Sequence, residues 1–436
     1  MQRLFVLPYK DRPRALREIA ELTRAIPHAP ANRLDLLLSS SPDPEQGLHS
    51  LVRLREASPG AFERLTRSTT GLRHIIAVFT HSRFLSEAIL QRPEWAEVLS
   101  LPGELQKPVK SFDPPEDLPR FRREQILRIV VRDVLGLSSL ADTTAELSDL
   151  ADSILEAALD RVLAPMREQH GMPRDEHGRE SKLAVLALGK LGGRELNYSS
   201  DIDLMFVFSA AGHTDGTSPI ANGEFFRRAA LQLTALLSAH TQEGSCYRVD
   251  LRLRPDGTQG EVCVPLASAK NYYSSRARDW ELQMLIKARV AAGDKATGQA
   301  LLDFVEPLTY STSLDFGAIE QLSATRERLN EKLTTRQIKW GISAKMKQKS
   351  GGIDVKLERG GIRDIEFLAQ CLQRLHGGAD RWVRHGGTML ALSRLHDKGY
   401  LSAAEHGKLA SAYSFLRNLE HRLQFDEDLQ THTLPG

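Results

Sequence analysis

Cysteine is scarce in this sequence. Only three cysteines occur among 436 residues, Cys246, Cys263 and Cys371, and they are odd in number and far apart. This pattern excludes a disulfide-stapled scaffold, and the three lack the spacing of metal ligands. We therefore expect reduced thiols in a cytoplasmic protein.

Long apolar runs and a strong net charge are also missing. No stretch of 18 consecutive apolar residues occurs, and the first residues turn charged too soon for a signal peptide, so we expect no transmembrane span. Lys and Arg number 58 against 56 Asp and Glu, a formal net charge of +2. Such a balance argues against nucleic acid or a membrane as the main partner.

The chain is long enough for two or three domains, and its predicted secondary structure changes twice, from helical to mixed and back to helical. Residues 1–105 are predicted to form a helical region, which ends in a connector with five prolines, "LPGELQKPVKSFDPPEDLPR". We expect a mixed catalytic domain over 120–300, with its sheet core at about 180–265, and a C-terminal helical bundle over 301–436. The predicted fold class is therefore α+β, mainly helical, with a small mixed β-sheet.

Helical spacing is clearest outside the predicted sheet. "SRFLSEAIL", "PEWAEVL" and "FRREQILRIVVRDVLGL" are typical of helices, and "TTAELSDLADSILEAALDRVLAPM" is typical of a long amphipathic one. Its apolar stripe comprises Leu147, Leu150, Ile154, Ala158 and Val162. Helices are also predicted at "EFFRRAALQLTALLSAH", "IRDIEFLAQCLQRLH" and "SAAEHGKLASAYSFLRNLEHRL".

Three segments are predicted to be strands. "LAVLALG" and "IDLMFVF" are apolar runs, and "YRVDLRLR" alternates strictly along its whole length. Between the first two lies "GKLGGRELNYSS", in which we expect "GRELN" to form a short helix.

Two like charges, Asp201 and Asp203, stand at the start of the second strand. Alternate residues of a strand project from one face, so both carboxylates point the same way. They repel unless a positive group lies between them, and a divalent metal such as Mg²⁺, with Mn²⁺ as the alternative, would meet that need. If "YRVDLRLR" pairs beside this strand, Asp250 completes a three-carboxylate cluster suited to phosphoryl chemistry.

Glycines, hydroxyls and cations near these acids are candidates for binding phosphate or nucleotide. Glycines allow close approach of backbone N–H groups, serines donate hydrogen bonds, and arginines suit phosphate oxygens. The candidates are Gly189, Lys190, Gly192, Ser199, Ser200, Arg252, Arg254, Lys287 and Lys356, with Arg289 and Glu366 as weaker ones. We expect Lys287 and Arg289 to lie on a helix, and Lys356 lies in an alternating segment.

Simpler interpretations exist for each feature. A D-x-D pair alone is more often a solvated turn, and alternating arginines are more often an exposed face. Lys287, Arg289 and Lys356 could equally be solvated charges. Tyr272 and Tyr273 are expected to pack rather than stack on a base. The order of the features favours catalysis: strand, glycine loop, serines, D-x-D strand, helix, and a strand with a third acid.

Four ordered motifs resemble a known family. "GKLGGRELNYSSDIDL", "YRVDLRLRPDGTQG", "DWELQMLIKAR" and "GGIRDIEF" resemble the bifunctional glutamine synthetase adenylyltransferase/adenylyl-removing enzymes of the nucleotidyltransferase superfamily. The likeness extends from about residue 75 onward. That family has two similar halves, whereas this sequence has one D-x-D, so we expect a fragment or an unusually short relative. "NYSSDIDL" and "RGGIRDIEF" look more like the adenylyl-removing half.

The resemblance implies a reaction and its partners. Phosphate would attack the adenylyl phosphorus of AMP-tyrosine on glutamine synthetase, giving ADP and free tyrosine. Asp201, Asp203 and Asp250 would hold the metals, and Arg252 or Arg254 would neutralise the incoming phosphate. A uridylylated nitrogen-signalling regulator is the implied second partner.

Other functions remain open from the sequence. One is adenylyl transfer from ATP to glutamine synthetase or to a small-molecule hydroxyl. Another is a non-catalytic module that senses nucleotide, against which the intact set of acids argues.

Overall fold

A computed structural model describes residues 9–26, 31–310 and 354–425. These residues form two compact units. The first contains those up to Asp113, those of 120–146, and the last two residues of the final helix. The second contains 114–119 and the described part of 147–423.

The helices that precede residue 140 are mostly short, and several begin at a capping side chain. Asp11, Asp43, Ser68 and Ser82 each accept a hydrogen bond from a backbone N–H three residues later, which satisfies a donor at the start of a helix. The helices are α1 (Arg12–Ala25), α2 (Ala31–Ser39), α3 (Pro44–Ala57), α4 (Pro59–Thr66), α5 (Thr69–His81), α6 (Arg83–Gln91), α7 (Pro102–Leu105) and α8 (Leu118–Val134).

Helix α9 (Leu140–His170) is the long amphipathic helix that the sequence predicts. Every residue of its predicted stripe, from Leu147 to Val162, is buried. The stripe faces the core because residues three and four apart lie on one side of a helix.

A five-stranded mixed sheet lies in the second unit, with the order β5–β3–β2–β7 and β6 also paired to β3. β3 runs antiparallel to β2 and parallel to both β5 and β6. β1 and β4 form a separate pair. The strands are β1 (Pro173–Arg174), β2 (Leu183–Leu188), β3 (Ile202–Phe208), β4 (His213–Thr214), β5 (Val249–Asp250), β6 (Cys263–Pro265) and β7 (Arg289–Gly293).

Helices enclose this sheet and continue to the end of the described chain. They are α10 (Gly189–Gly192), α11 (Asn222–Ser238), α12 (Leu266–Ser275), α13 (Asp279–Met284), α14 (Lys295–Thr309), α15 (Ile362–Gly377), α16 (Thr388–Asp397) and α17 (Ala403–Phe425). One core joins β2 and β3 to α12 and α14, with Leu186 and Leu301 among its members. Another core joins α15, α16 and α17 through Ile365, Leu392 and Tyr413.

The predicted α+β class with a small mixed sheet is confirmed, as are the helices predicted at α9, α11, α15 and α17. The cysteines, all within the described residues, are buried and form no disulfide. In the same part of the chain, no helix combines the length and apolarity needed to cross a membrane.

Two helix predictions were wrong. The short helix of the glycine loop is α10, at "GKLG" rather than "GRELN". Arg289 begins strand β7 and Lys287 ends a 3₁₀ turn, so neither lies on an α-helix. "PEWAEVL" is helical as predicted and forms a 3₁₀ helix, Pro93–Ser100. Lys356 lies in a turn.

The strand predicted over "YRVDLRLR" is reduced to Val249 and Asp250. The Asp250 carboxylate accepts a hydrogen bond from the backbone N–H of Arg252 at 2.8 Å, which bends the chain. A side chain that bonds to nearby backbone in this way competes with strand pairing. Arg252 and Arg254 therefore leave the sheet.

Candidate active site

Strand register brings Asp203 and Asp250 side by side. The parallel pairing of β3 with β5 matches Ile202 with Val249 and Asp203 with Asp250. Asp201 precedes Asp203 by two residues, at the entrance to the same strand. The three predicted acids thus occupy adjacent backbone positions, and each side chain is partly exposed.

Asp203 lies directly against the glycine turn. Gly189 has φ +55°, and a Cβ built there would lie 2.2 Å from Oδ2 of Asp203. Only glycine combines this conformation with so close an approach. Burial, together with the negative charges of Asp250 and Asp201, raises the pKa of Asp203 to about 6.

Arginines hold the other two acids. Nε of Arg248 lies 2.5 Å from Oδ1 of Asp201, and a second nitrogen of Arg248 donates to the Ser199 carbonyl at 3.0 Å. The Arg252 side chain and backbone donate to Asp250. Burial alone would raise the pKa of Asp250, but the hydrogen bonds from Arg252 outweigh it, so this pKa lies below its ordinary value.

These ion pairs change the expected arrangement of the carboxylates. Within residues 9–26, 31–310 and 354–425, no three His, Cys, Asp or Glu side chains are placed to hold a metal ion together. The backbone positions converge as predicted, but the Asp201 and Asp250 side chains turn to Arg248 and Arg252. Carboxylate oxygens at these positions remain the donor type that Mg²⁺ takes.

Arg248 was not selected from the sequence as a site residue. Its signal was present, because it shares the alternating polar face with Asp250. Its contact with Asp201 depends on strand pairing, since the backbone N–H of Ile202 donates to the Arg248 carbonyl at 2.9 Å.

Some of the predicted phosphate-binding residues lie near the acids, and others lie elsewhere in the fold. Lys356 lies close enough to Asp203 for its positive charge to oppose the rise in the pKa of that acid. Ser199 is buried and Ser200 is half-buried just before Asp201. Arg254 instead donates to the carbonyls of Leu251 and Gly260, and so braces the turn after β5.

Lys190, Lys287 and Gly192 have structural partners. Nζ of Lys190 lies 2.7 Å from Glu420 Oε1, and burial lowers the pKa of Lys190 to about 8 although Glu420 opposes that shift. Nζ of Lys287 lies 2.9 Å from Glu195 and 3.3 Å from Glu366. A Cβ at Gly192 would lie 2.1 Å from the Lys287 carbonyl, so this glycine permits tight packing.

The remaining candidates also have contacts away from the acids. Arg289 forms a two-pronged ion pair with Asp152 on α9. Tyr272 donates to Glu281 at 2.6 Å, and Tyr273 packs beside Met205, so both tyrosines pack in the core as the sequence predicted.

Two family models match the chain. Residues 72–304 match the model described as glutamate-ammonia ligase adenylyltransferase. Residues 327–436 match the model described as GlnD PII-uridylyltransferase.

The names of curated relatives agree with the description of the first family model. The chain is 36% identical over 378 residues to the bifunctional glutamine synthetase adenylyltransferase/adenylyl-removing enzyme of Thioalkalivibrio sulfidiphilus. The aligned region covers 83% of this chain and 38% of that protein. Identity to the enzyme of the same name from Stenotrophomonas maltophilia is 38% over 361 residues, covering 81% and 37%. For Hahella chejuensis the values are 37% over 381 residues, covering 83% and 38%.

The chain thus spans less than two fifths of the length of these relatives. The first family model, however, covers more than half of this chain, including all three acids and the glycine turn. The chain belongs to the glutamate-ammonia ligase adenylyltransferase family.

Proposed function

We propose that this chain removes AMP from an adenylylated tyrosine of glutamine synthetase by phosphorolysis. The observation that carries the proposal is the register pairing of Asp203 with Asp250, beside Asp201 and flanked by Arg248 and Arg252. Three neighbouring acids, two of which are paired with arginines, suit a reaction between two phosphate groups. The relatives' names include adenylyl removal and adenylyl transfer.

The reaction balances without a covalent enzyme intermediate. An oxygen of inorganic phosphate forms a bond to the adenylyl phosphorus, and the bond from that phosphorus to the tyrosine oxygen breaks. The phenolate takes up a proton, and the products are ADP and tyrosine. Positioning and charge stabilisation therefore account for most of the catalysis.

The chain's own residues have distinct roles in this proposal. Asp201, Asp203 and Asp250 would hold Mg²⁺ or Mn²⁺, which supplies charge neutralisation at the phosphate oxygens. Arg248 and Arg252 would leave their carboxylates and bind the incoming phosphate, for which arginine's planar donors are suited. Lys356 would add positive charge near Asp203.

The direction of transfer is the finer part of the proposal. We favour removal because arginine precedes the acid in "RGGIRDIEF", as in the adenylyl-removing half of the resembled enzymes. The rival is attachment of AMP from ATP to glutamine synthetase or to a small-molecule hydroxyl, and a nucleotide-sensing module is the non-catalytic alternative.

One assay separates these functions. The chain is incubated with adenylylated glutamine synthetase, inorganic phosphate and Mg²⁺, and ADP is measured. Parallel reactions contain unmodified glutamine synthetase with labelled ATP, or labelled ATP with small hydroxyl acceptors. ADP that depends on phosphate supports removal, whereas label on an acceptor contradicts it. Nucleotide binding without product in any reaction would indicate a sensor.

A uridylylated nitrogen-signalling regulator is the proposed second partner. Its support is the match of residues 327–436 to a uridylyltransferase family model, which is a likeness of sequence only. Calorimetric titration of the chain with uridylylated and unmodified regulator tests this partner. A cytoplasmic location follows from the proposed protein substrate.

A further inference from the structure

The segment that leads into the acids is held by the last described helix. We call residues 195–198, which follow the glycine turn and precede Ser199, the approach segment. Nη2 of Arg417 on α17 donates to the Glu195 carbonyl at 2.7 Å and to Oδ1 of Asn197 at 2.5 Å. His421, one turn later, lies 3.1 Å from the same Asn197 oxygen.

Aromatic packing adds to these hydrogen bonds. The Tyr198 ring meets the His421 ring edge to face, with centroids 5.1 Å apart. Three of the four residues in the approach segment therefore contact α17 directly. Arg417, Asn197 and His421 are each 1% exposed, so water cannot easily replace these contacts.

Arg417 is itself fixed from the other side. Its Nη1 donates to the Tyr413 hydroxyl at 2.8 Å, and that hydroxyl donates to Glu366 on α15 at 3.2 Å. Nε of Arg417 also lies 3.3 Å from Glu420. A guanidinium with acceptors on both sides has little freedom to turn.

The side chain of Glu195 provides a second attachment for the same segment. Its carboxylate accepts hydrogen bonds from the backbone N–H and hydroxyl of Thr388 at 2.5 and 3.0 Å, and from Lys287 at 2.9 Å. α16 and the turn before β7 thus hold the start of the segment. Asp201 follows Asn197 by four residues, so a shift of the segment would move the candidate cation ligands.

We propose that Arg417 is a positioning residue for the acids: by fixing the approach segment, it sets the places of Asp201 and Asp203 for cation binding. Arg417 touches neither acid and is not a catalytic residue. Residues that orient metal ligands without binding the metal themselves typically change metal affinity by about 10–100-fold when they are substituted. The activity readout rests on the proposed function, but the binding and exchange readouts do not.

The test compares two conservative substitutions of fully buried arginines in the same unit. Arg417→Lys keeps the charge but loses the forked donors to Glu195 and Asn197. Arg374→Lys is the matched control, because Arg374 on α15 is also 1% exposed and donates to backbone carbonyls, those of Thr309 and Asp279. Its contacts are away from the approach segment.

Three measurements are made on both variants and on the unaltered chain. We expect Arg417→Lys to weaken Mn²⁺ binding about tenfold by calorimetry, to speed hydrogen exchange at the amides of 196–203, and to lower kcat for phosphorolysis more than it changes KM. Arg374→Lys should leave Mn²⁺ affinity and exchange at those amides within twofold of the unaltered chain.

Asn197→Ala provides a second route if Arg417→Lys does not fold. It removes one acceptor of Arg417, and we expect the same weakening of Mn²⁺ binding. In the double variant the two losses should not add, because both act on one contact.

Equal losses in the Arg417 and Arg374 variants, or an Arg417→Lys variant with unchanged Mn²⁺ affinity and unchanged exchange, would overturn the proposal. If the unaltered chain gives no ADP but the Arg417-specific losses occur, the proposed function fails and the positioning role stands. If the unaltered chain does not bind Mn²⁺ either, hydrogen exchange at the amides of 196–203 decides: faster exchange in Arg417→Lys alone supports the proposal, and unchanged exchange refutes it.

Discussion

Asp203 and Asp250 lie opposite each other on two parallel strands, although they are far apart in the sequence. Neither acid makes a site alone. The pairing joins two motifs that are separate in the sequence into one acidic cluster beside Asp201.

Asp203→Asn should lower the phosphorolysis rate by about two to three orders of magnitude, because it removes the charged oxygen nearest the glycine turn. ADP formation from adenylylated glutamine synthetase measures the effect, and circular dichroism checks the fold. Asp303→Asn, on an exposed face of α14, is the control and should retain full activity. Near-normal activity of Asp203→Asn would remove this acid from the mechanism.

The same substitution should stabilise the metal-free protein at neutral pH. The pKa of Asp203 is raised to about 6, so the folded state holds a proton between about pH 4 and pH 6 that the unfolded chain has lost. The stability that this proton gives is fully present below about pH 4 and is lost as pH rises through 6.

Urea unfolding with a chelator present tests this dependence. At pH 7 we expect Asp203→Asn to raise the free energy of unfolding by on the order of 1–3 kcal/mol, and at pH 4 to change it little. A variant equally stabilised at both pH values would show that ionisation of Asp203 is not the cause. Metal binding should also weaken as pH falls below about 6, because the cation must displace the proton.

Gly189→Ala should damage both stability and activity. The new methyl group would lie 2.2 Å from the Asp203 carboxylate, at a residue with φ +55°. Gly178→Ala is a matched control, because Gly178 has φ +76° but nothing within 4 Å of its added Cβ. Gly178→Ala should lose about 1 kcal/mol of stability from backbone strain, and Gly189→Ala should lose more because the clash adds to that strain, both measured by urea unfolding. Only Gly189→Ala should lose phosphorolysis activity; equal activity in the two variants would contradict the close approach.

Arg252 and Arg254 should have different effects despite their similar spacing. The Arg252 side chain is 70% exposed and pairs with Asp250, so Arg252→Ala should leave stability nearly unchanged and raise KM for phosphate about tenfold. Arg254→Ala should cost about 1–3 kcal/mol of stability, because it leaves carbonyl groups of the turn without their donor. Urea unfolding and phosphate titrations measure both effects. The reverse pattern would exchange the two roles.

The helices and the acids could be predicted from local patterns. Apolar spacing identified α9, α11, α15 and α17, and the apolar run after Asp201 placed Asp201 and Asp203 at the start of β3. The length of β5 could not be predicted in this way. The alternation of "YRVDLRLR" continues past Asp250, but the hydrogen bond from Arg252 to Asp250 ends the strand.

Partners distant in the sequence escaped prediction. Lys190 follows a glycine, as a phosphate-binding lysine would, yet its Nζ pairs with Glu420 at the far end of the described chain. No local motif marks Arg417, and only its contacts with Glu195 and Asn197 in the folded chain indicate the proposed positioning role. Long-range pairing of this kind has no periodicity for a sequence to reveal.

The shortness of β5 also bears on the order in which the candidate site forms. Only two residues of β5 pair with β3, and the whole of α11 lies between these two strands in the sequence. Contacts between distant segments form slowly because the intervening loop must close first. Under the proposed function, a ribosome-bound chain that has emerged only as far as α11 would lack Asp250 and be inert, and catalytic competence would arise only when this last acid joins the other two.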